Sequence, residues 1–382
     1  MEKLNMKKKI CFVTHSNPNF LGGVSLFHKN LIKYIKKEYK NLEITWIYFG
    51  AGNKKYSKGN INYLEIKSSK IEFLKNYINN LKLINIFKKN EFNIINYGGG
   101  FWTYFYKKKN NQEIVHPFHG TVYYFNKNHF KQFGWFKKIL FSPLLLLSWI
   151  SERPHKKMDK IICVSEKVKK QVEKLYGKRK NVVVIRTGVD LKNFKARNKI
   201  KVKEKLKLEK NKTYGLYVGG GGYWTKGLDR AINLSEELYK LNKKFRLLII
   251  GPEYKKVKHL LNKKSVIYLQ NVPREKMPKY YSASEMFFCM SRYEGGAPTL
   301  VVSEAMASGC LVVSSKSAEQ EIIEDKKNGL IIDEFGKKDA RKILNILKNK
   351  PLKERIIKNS MKTIKELSLE KWGKKYIKVL KK

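Results

Sequence analysis

Short runs rich in Val, Ile and aromatic residues alternate along the chain with longer stretches whose apolar residues recur at helical spacing. That alternation is the pattern of parallel sheets wound with crossover helices. In the first half it predicts strands at Lys9–Thr14, Glu43–Tyr48, Phe92–Tyr97, Glu113–Phe118, Lys160–Ser165 and Asn181–Arg186. Val24, Phe27, Leu31, Tyr34 and Ile35 share one face of a helix predicted over Val24–Tyr39. A lysine-rich stretch, Lys192–Lys212, reads as a linker with a short helix. A second series follows, with strands at Tyr214–Val218, Phe245–Ile250, Val266–Leu269, Met286–Met290 and Cys310–Ser314 and a helix over Gly227–Leu241. The chain thus reads as two successive α/β halves.

Each half opens with a strand, a glycine-rich loop and a helix. The loops are Gly22-Gly23 in the first half and Gly219-Gly220-Gly221-Gly222 in the second. In such sheets ligands sit beyond the carboxyl ends of the strands, where backbone N–H groups and a helix N-terminus hold phosphate. A glycine pair serves equally as a tight turn. Four consecutive glycines, followed by Lys226 at a helix start, exceed what a turn needs. Neither loop has GxGxxG spacing, which counts against a nicotinamide-dependent dehydrogenase.

Two further places carry candidate chemistry. His119-Gly120-Thr121 follows the strand Glu113–Phe118, so the imidazole lies at that strand's carboxyl end, as a functional group or as a structural one. His116, inside the strand, reads as a core histidine. Arg292 through Thr299 reads as a loop opening a helix, with Pro298 near its first position and Gly309 near its end. Glu304 stands inside that apolar helix, where a carboxylate is costly without a polar partner. Sugar hydroxyls would serve, and so would a buried salt bridge to a lysine.

Composition refines the picture. The 382 residues, 42% hydrophobic and 13% aromatic, suffice for about two to three domains with real cores and exclude intrinsic disorder. Against 32 Asp and Glu stand 82 Lys and Arg, a net charge of +50 that attracts anionic surfaces in general. Only ten of the 82 are arginines, the residue whose planar fork reads base edges, so specific nucleic-acid recognition is not expected. Cys11, Cys163, Cys289 and Cys310 stand singly in apolar runs and read as buried reduced thiols of a cytoplasmic protein. Ile10–Val13 is too short for a signal peptide. Phe141–Ile150, interrupted by Pro143, is too short to span a bilayer.

These residues together carry a resemblance. Gly22-Gly23, His119-Gly120-Thr121, Ile161 through Glu166, Thr187-Gly188-Val189-Asp190 with Phe194, Lys226-Gly227-Leu228-Asp229, and Glu294-Gly295 through Glu304-Ala305-Met306-Ala307-Ser308-Gly309 stand in the order seen in the retaining glycosyltransferases of family 4. The chain resembles that family over nearly its whole length. The resemblance implies the α/β GT-B fold, two Rossmann-like doubly wound domains facing a central cleft. Residues 1–190 would bind the acceptor, 191–366 the nucleotide-sugar, and 367–382, with Trp372 and Tyr376, would form a closing helix crossing back to the first domain. It further implies His119, Glu294 and Lys226 as catalytic residues of a hexosyltransferase. Donor contacts would come from Gly22, Gly23, Gly219, Gly220, Gly221, Lys226, Val272, Gly296, Ala297, Pro298, Thr299, Leu300 and Glu304. No metal ligand and no cofactor are expected, the donor being a UDP- or GDP-sugar. The sequence departs from the family at two points. Glycine, near Gly220, replaces an arginine that the family places beside the diphosphate, leaving Lys226, with Arg292 or Lys255 as possible substitutes. Glu294 and Glu304 stand ten residues apart, two more than in the family. The extra residues belong in the Gly-Gly-Ala loop, and Glu294 either folds back toward the donor sugar or yields its place to the N–H groups of Gly296 and Ala297.

A departing diphosphate needs its developing charge stabilised, and Lys226 with the glycine-loop N–H groups is placed for that. Same-face attack with the diphosphate as base would retain configuration without a carboxylate nucleophile. A nucleotide-sugar epimerase or hydrolase of the same fold is the rival enzyme, and a basic nucleic-acid-binding protein the rival of another class. Tyr97–Lys109 and Tyr123–Phe136 are aromatic and basic, which suits a glycan or a lipid-linked acceptor and peripheral contact with an anionic membrane at the inner face. Trp135, Phe136, Ile139, Leu140 and Leu144 equally suit the core face of a helix.

Overall fold

Strands buried on both faces of a parallel sheet are continuous apolar runs, and Ile10–Val13 within β1 (Lys8–Thr14) is one. The computed structural model describes residues 8–15, 17–18, 22–39, 41–72, 74–153, 157–220, 222–252 and 258–381. These form two compact units, residues 1–186 with 372–382, and residues 187–371.

In the first unit β1 is central to an eight-stranded sheet. On one side it pairs in parallel with β2 (Leu42–Gly50), beyond which the hairpin of β3 (Lys54–Ser57) and β4 (Ile61–Lys67) joins through β4. On the other side lie β5 (Ile94–Tyr97), β6 (Glu113–Phe118), β7 (Lys160–Cys163) and β8 (Val182–Val184), all parallel. The connections carry α1 (Gly23–Glu38), α2 (Lys75–Lys89), α3 (Val122–His129), α4 (Trp135–Glu152) and α5 (Glu166–Tyr176). Helix α5 starts where it does because Ser165 caps it, its hydroxyl accepting the Val168 N–H at 3.0 Å. Trp135, Phe136, Ile139 and Leu140 on α4 are exposed, which overturns their reading as a core face; of that set only Leu144 turns partly inward.

The second unit has a six-stranded, wholly parallel sheet in the order β11-β10-β9-β12-β13-β14, made of β9 (Thr213–Val218), β10 (Phe245–Gly251), β11 (Val266–Gln270), β12 (Met286–Cys289), β13 (Leu311–Ser315) and β14 (Leu330–Ile332). Both faces are buried: Leu247 and Ile249 join one core cluster and Leu248 and Ile250 the other. The lysine-rich stretch holds the expected short helix, α6 (Lys199–Lys205). The remaining helices are α7 (Leu228–Leu241), α8 (Lys258–Leu261), α9 (Met277–Ala283), α10 (Leu300–Ala307), α11 (Lys337–Lys348), α12 (Lys350–Lys365) and α13 (Leu369–Lys381). The four cysteines are buried and unpaired. Burial pushes the Cys289 thiol up to about 12 and Cys310 to about 11, which leaves neither a ready thiolate.

The unit boundary falls at 186/187 rather than 190/191, and the return crossing at 371/372 rather than 366/367. The reason is local pairing. Val189 N–H donates to Leu367 O at 2.8 Å and Leu369 N–H to Val189 O at 3.0 Å, so the outgoing and returning chains lie side by side within the second unit. Beyond them α13 completes the first unit's core. Trp372 and Tyr376 pack on Phe27 with centroids at 5.0 and 5.7 Å, and Asn96 Nδ2 donates to Tyr376 Oη at 2.8 Å. Gly373 is where this helix meets the ring of buried Tyr34, since a Cβ there would lie 2.3 Å from it.

Gly→Ala in an open helix adds about 1 kcal/mol of stability. Gly373→Ala should instead cost about 1–3 kcal/mol by overpacking, read as a lower midpoint in thermal or urea unfolding; a stabilised variant would show that α13 does not press on α1.

Candidate active site

In parallel sheets the crevice opens where strand order reverses, beyond the carboxyl ends. In the second unit that point lies between β9 and β12, whose loops emerge side by side. Gly219 N–H closes the end of β9 on Ile250 O at 3.0 Å. Among the described residues nothing lies within 4 Å of a notional Cβ on Gly220. Gly221 lies outside the described residues. Gly222, at φ +57°, starts a turn in which its carbonyl accepts the Lys226 N–H at 3.0 Å.

The turn delivers Lys226 to Glu294. Its Nζ donates to both carboxylate oxygens, at 2.6 and 2.8 Å, and Ser291 Oγ donates to Oε1. The Glu294 side chain is 11% exposed and turned to Lys226 and Ser291, and the two glycines after it, Gly295 and Gly296, have φ of +68° and +80°. The Ala297 N–H turns inward to Glu294 O at 3.4 Å, and Gly296 O accepts from Glu321 N–H at 3.3 Å.

Arg292 is engaged on α7 and the loop before it. Its guanidinium grips Asp229 in the first turn of α7 through two nitrogens, at 2.8 and 2.5 Å, donates to Trp224 O, and lies over the Trp224 ring at 4.6 Å. Burial opposes ionisation of Asp229, but the Arg292 bonds and charge outweigh it and hold the carboxyl below its ordinary range. Lys255 lies outside the described residues.

Glu304, 1% exposed, has both oxygens taken by Arg274, Nη1 to Oε2 at 2.9 Å and Nη2 to Oε1. Arg274 in turn lies over buried Phe194 at 4.6 Å. The salt-bridge reading of Glu304 is therefore realised, with an arginine rather than a lysine. A carboxylate has about four acceptor positions, so this fork leaves room for further donors. Helix α10 begins at Leu300 with Thr299 as its cap, and Pro298 precedes the cap instead of opening the helix. Gln320, which sequence reasoning missed, accepts the Thr299 N–H at 3.1 Å; its Nε2 and Thr299 Oγ1 are buried without a partner among the described residues. Val272 is half-buried in the loop after β11.

In the first unit the corresponding edge carries the ends of β1, β5 and β6. Gly22 caps α1 with no side-chain bond, and Gly23 has open space beside it. His119 directly follows β6, half-buried, its ring edge-on to Phe27 at 4.5 Å, one turn into α1. Burial first, and then the nearby His28, push its pKa down to about 3, and burial pushes His28 to about 4. Both imidazoles are neutral, so His119 offers a ligand one donor and one acceptor. His15, not singled out by sequence, follows β1 and meets Tyr97 at 5.5 Å between centroids. His116 is fully buried inside β6, as a core histidine. Among the described residues no group of three or more His, Cys, Asp or Glu could hold a metal ion.

The family profile described as Glycosyl transferases group 1 matches residues 198–363, and that described as Glycosyltransferase Family 4 matches residues 21–193. The chain belongs to the group 1 glycosyltransferases. Its fold is GT-B. It is 25% identical over 287 residues to the uncharacterized glycosyltransferase MJ1069 of Methanocaldococcus jannaschii, covering 72% of this chain and 68% of that one. Sucrose-phosphate synthase from Thermosynechococcus elongatus superposes with a TM-score of 0.81 at 15% identity, over 98% of both chains. The Anabaena protein HepE in complex with UDP-glucose superposes at 0.69 and 14% identity, over 98% of this glycosyltransferase and 99% of HepE.

The buried histidines set a pH dependence. An unfolded histidine takes up a proton near pH 6.5, whereas folded His28 and His119 do so only near 4 and 3. Their contribution to stability is complete above about pH 6.5 and is lost as pH falls toward 4. The unfolding midpoint should drop over that window, and His119→Gln should flatten the drop; an equal slope in the variant would show that His119 titrates freely.

Proposed function

We propose that the protein is a retaining hexosyltransferase that moves a sugar from a UDP- or GDP-sugar to a glycan, polysaccharide or lipid-linked acceptor. The observation that carries this reading is the meeting of Lys226 with Glu294 and Ser291 at the point where the second sheet reverses its strand order. The UDP-glucose bound by HepE supports a nucleotide-sugar as donor.

In the proposed reaction the bond between the sugar's anomeric carbon and the diphosphate oxygen breaks. The nucleoside diphosphate leaves with the electron pair, the acceptor hydroxyl forms the new bond on the same face, and its proton passes to the departing diphosphate. Lys226 and the N–H groups around Gly219–Gly222 oppose the charge growing on the phosphates. An arriving diphosphate competes with Glu294 for the ammonium, which frees the carboxylate for sugar hydroxyls. Glu304, steadied by Arg274, receives the ribose hydroxyls, and neutral His119 offers its imidazole to donor sugar or acceptor. Residues 1–190 serve the acceptor, at the cytoplasmic face of a membrane.

A panel of nucleotide-sugars tests the proposal. One UDP- or GDP-sugar should raise the unfolding midpoint by mass action and give a product of unchanged anomeric configuration with an acceptor. Conversion of the sugar without acceptor would identify an epimerase or hydrolase. Retention on DNA or RNA at physiological salt with no nucleotide-sugar bound would remove the enzyme reading altogether.

Lys226→Ala should lower turnover by about 100-fold or more, Glu294→Gln should lower kcat more than it changes KM, and Glu304→Gln should chiefly raise the donor KM. Unchanged kinetics in Glu294→Gln would take that residue out of the site. Transfer should persist in excess EDTA; loss of activity restored by magnesium or manganese would overturn the metal-free reading.

A further inference from the structure

Helix α4 carries an apolar face that is open at its start. Gly134 through Leu140 are all exposed, Trp135 by 74%, Phe136 by 67%, Ile139 by 65% and Leu140 by 62%. Leu146, two turns on, is 59% exposed. At about 3.6 residues per turn Trp135, Ile139 and Leu146 form one stripe flanked by Phe136 and Leu140, while buried Ser148 and Glu152 lie on the opposite face. Folded proteins rarely leave a contiguous patch of this kind without a use.

The helix is held firmly where it faces inward. Glu152 accepts the Val122 and Tyr123 N–H groups at 2.7 and 3.3 Å, which fixes the start of α3, and Asn126 Nδ2 donates to Ser148 Oγ at 2.7 Å. Phe130, Phe133 and Phe141 pack together near the tip of this helical hairpin. Pro143 removes the N–H that would bond the Ile139 carbonyl, and Ser142 Oγ takes that carbonyl at 2.8 Å. The exposed rings thus stand on a braced element.

Charge identifies the occupant. Between Glu113 and Glu152 there is no Asp or Glu, in a chain that holds 32. Lys127, Lys131, Lys137 and Lys138 are all exposed there. No helix among the described residues is long and apolar enough to cross a membrane. An exposed apolar stripe beside Lys138, on a hairpin tip that carries further exposed lysines and no carboxylate, matches the boundary of an anionic bilayer, rings among the acyl chains and ammonium groups at the headgroups.

We infer that the tip of the α3–α4 hairpin inserts into the surface of an anionic lipid bilayer. The inference is independent of the donor and acceptor chemistry. Its test is sedimentation of the full chain with vesicles of phosphatidylcholine alone and with phosphatidylglycerol added. The protein should sediment with the anionic vesicles, and Trp135→Ser with Ile139→Ser should weaken that binding about tenfold or more at an unchanged unfolding midpoint. Lys137→Gln with Lys138→Gln should weaken it more than Lys263→Gln with Lys264→Gln, a charge-matched exposed pair in the second unit. Equal loss from the two lysine pairs would mean binding by net charge alone, and wild-type binding by the Trp135 and Ile139 variant would mean the stripe does not insert; either overturns the inference. A wild-type dimer that this variant splits, with vesicle binding intact, would assign the face to a second copy instead.

Discussion

At residue 227 the chain passes Met290 so closely that no side chain fits between them. A Cβ on Gly227 would lie 1.9 Å from the Met290 carbonyl oxygen, and the backbone there has a φ of +68° that glycine alone adopts freely. This approach presses the loop after β9 against the end of β12. It decides where α7 begins and where Lys226 stands, hence that Lys226 reaches Glu294. Arg292 fastens the same contact from the other loop, through Asp229, the Trp224 ring and carbonyl, and its own N–H on Thr225 O at 2.9 Å. A site assembled from two distant loops thereby gains the rigidity of a single element.

The distribution of charge follows from what each cation does well. With ten arginines in the chain, Arg274 and Arg292 are placed where a planar fork must satisfy both oxygens of a carboxylate while its face covers an aromatic ring. Lysine is used where one reorientable point charge suffices, as at Lys226, or at the surface, where its stem covers apolar area and its head stays wet. Glu294, bonded by Lys226 and Ser291, keeps 11% of its side chain exposed, whereas Glu304 is gripped at both oxygens by Arg274 and is nearly sealed from water.

Much of this was legible in the chain because strong local patterns and tertiary demands agree. The apolar runs of β1, β9, β10 and β13 are buried on both faces, so their positions survive nearly unchanged. Strands β3, β4 and β14 escaped because β3 is an exposed edge of four residues, β4 is only half-buried through its middle, and β14 has three residues. Lys226, Glu294, Thr299, Gly219, Gly220 and Gly222 sit in loops whose composition departs from the background, and they were singled out for that reason. Arg274 and Gln320 were not, since nothing local marks a residue whose role comes from a partner 30 or 21 positions away. The exposed face of α4 could not be told from a core face by periodicity, which reports that one side is apolar and not what covers it.

The last helix gives the first unit a schedule. Asn96 and Tyr376 are joined across 280 residues, and Trp372 sits against Phe27 near the start of the chain. During translation the second unit, whose residues are contiguous, is fully synthesised before the segment that fills the gap beside α1 has left the ribosome. The first unit's core must wait for Trp372 and Tyr376 until α13 emerges. Of the two units, the one whose synthesis begins first is completed last.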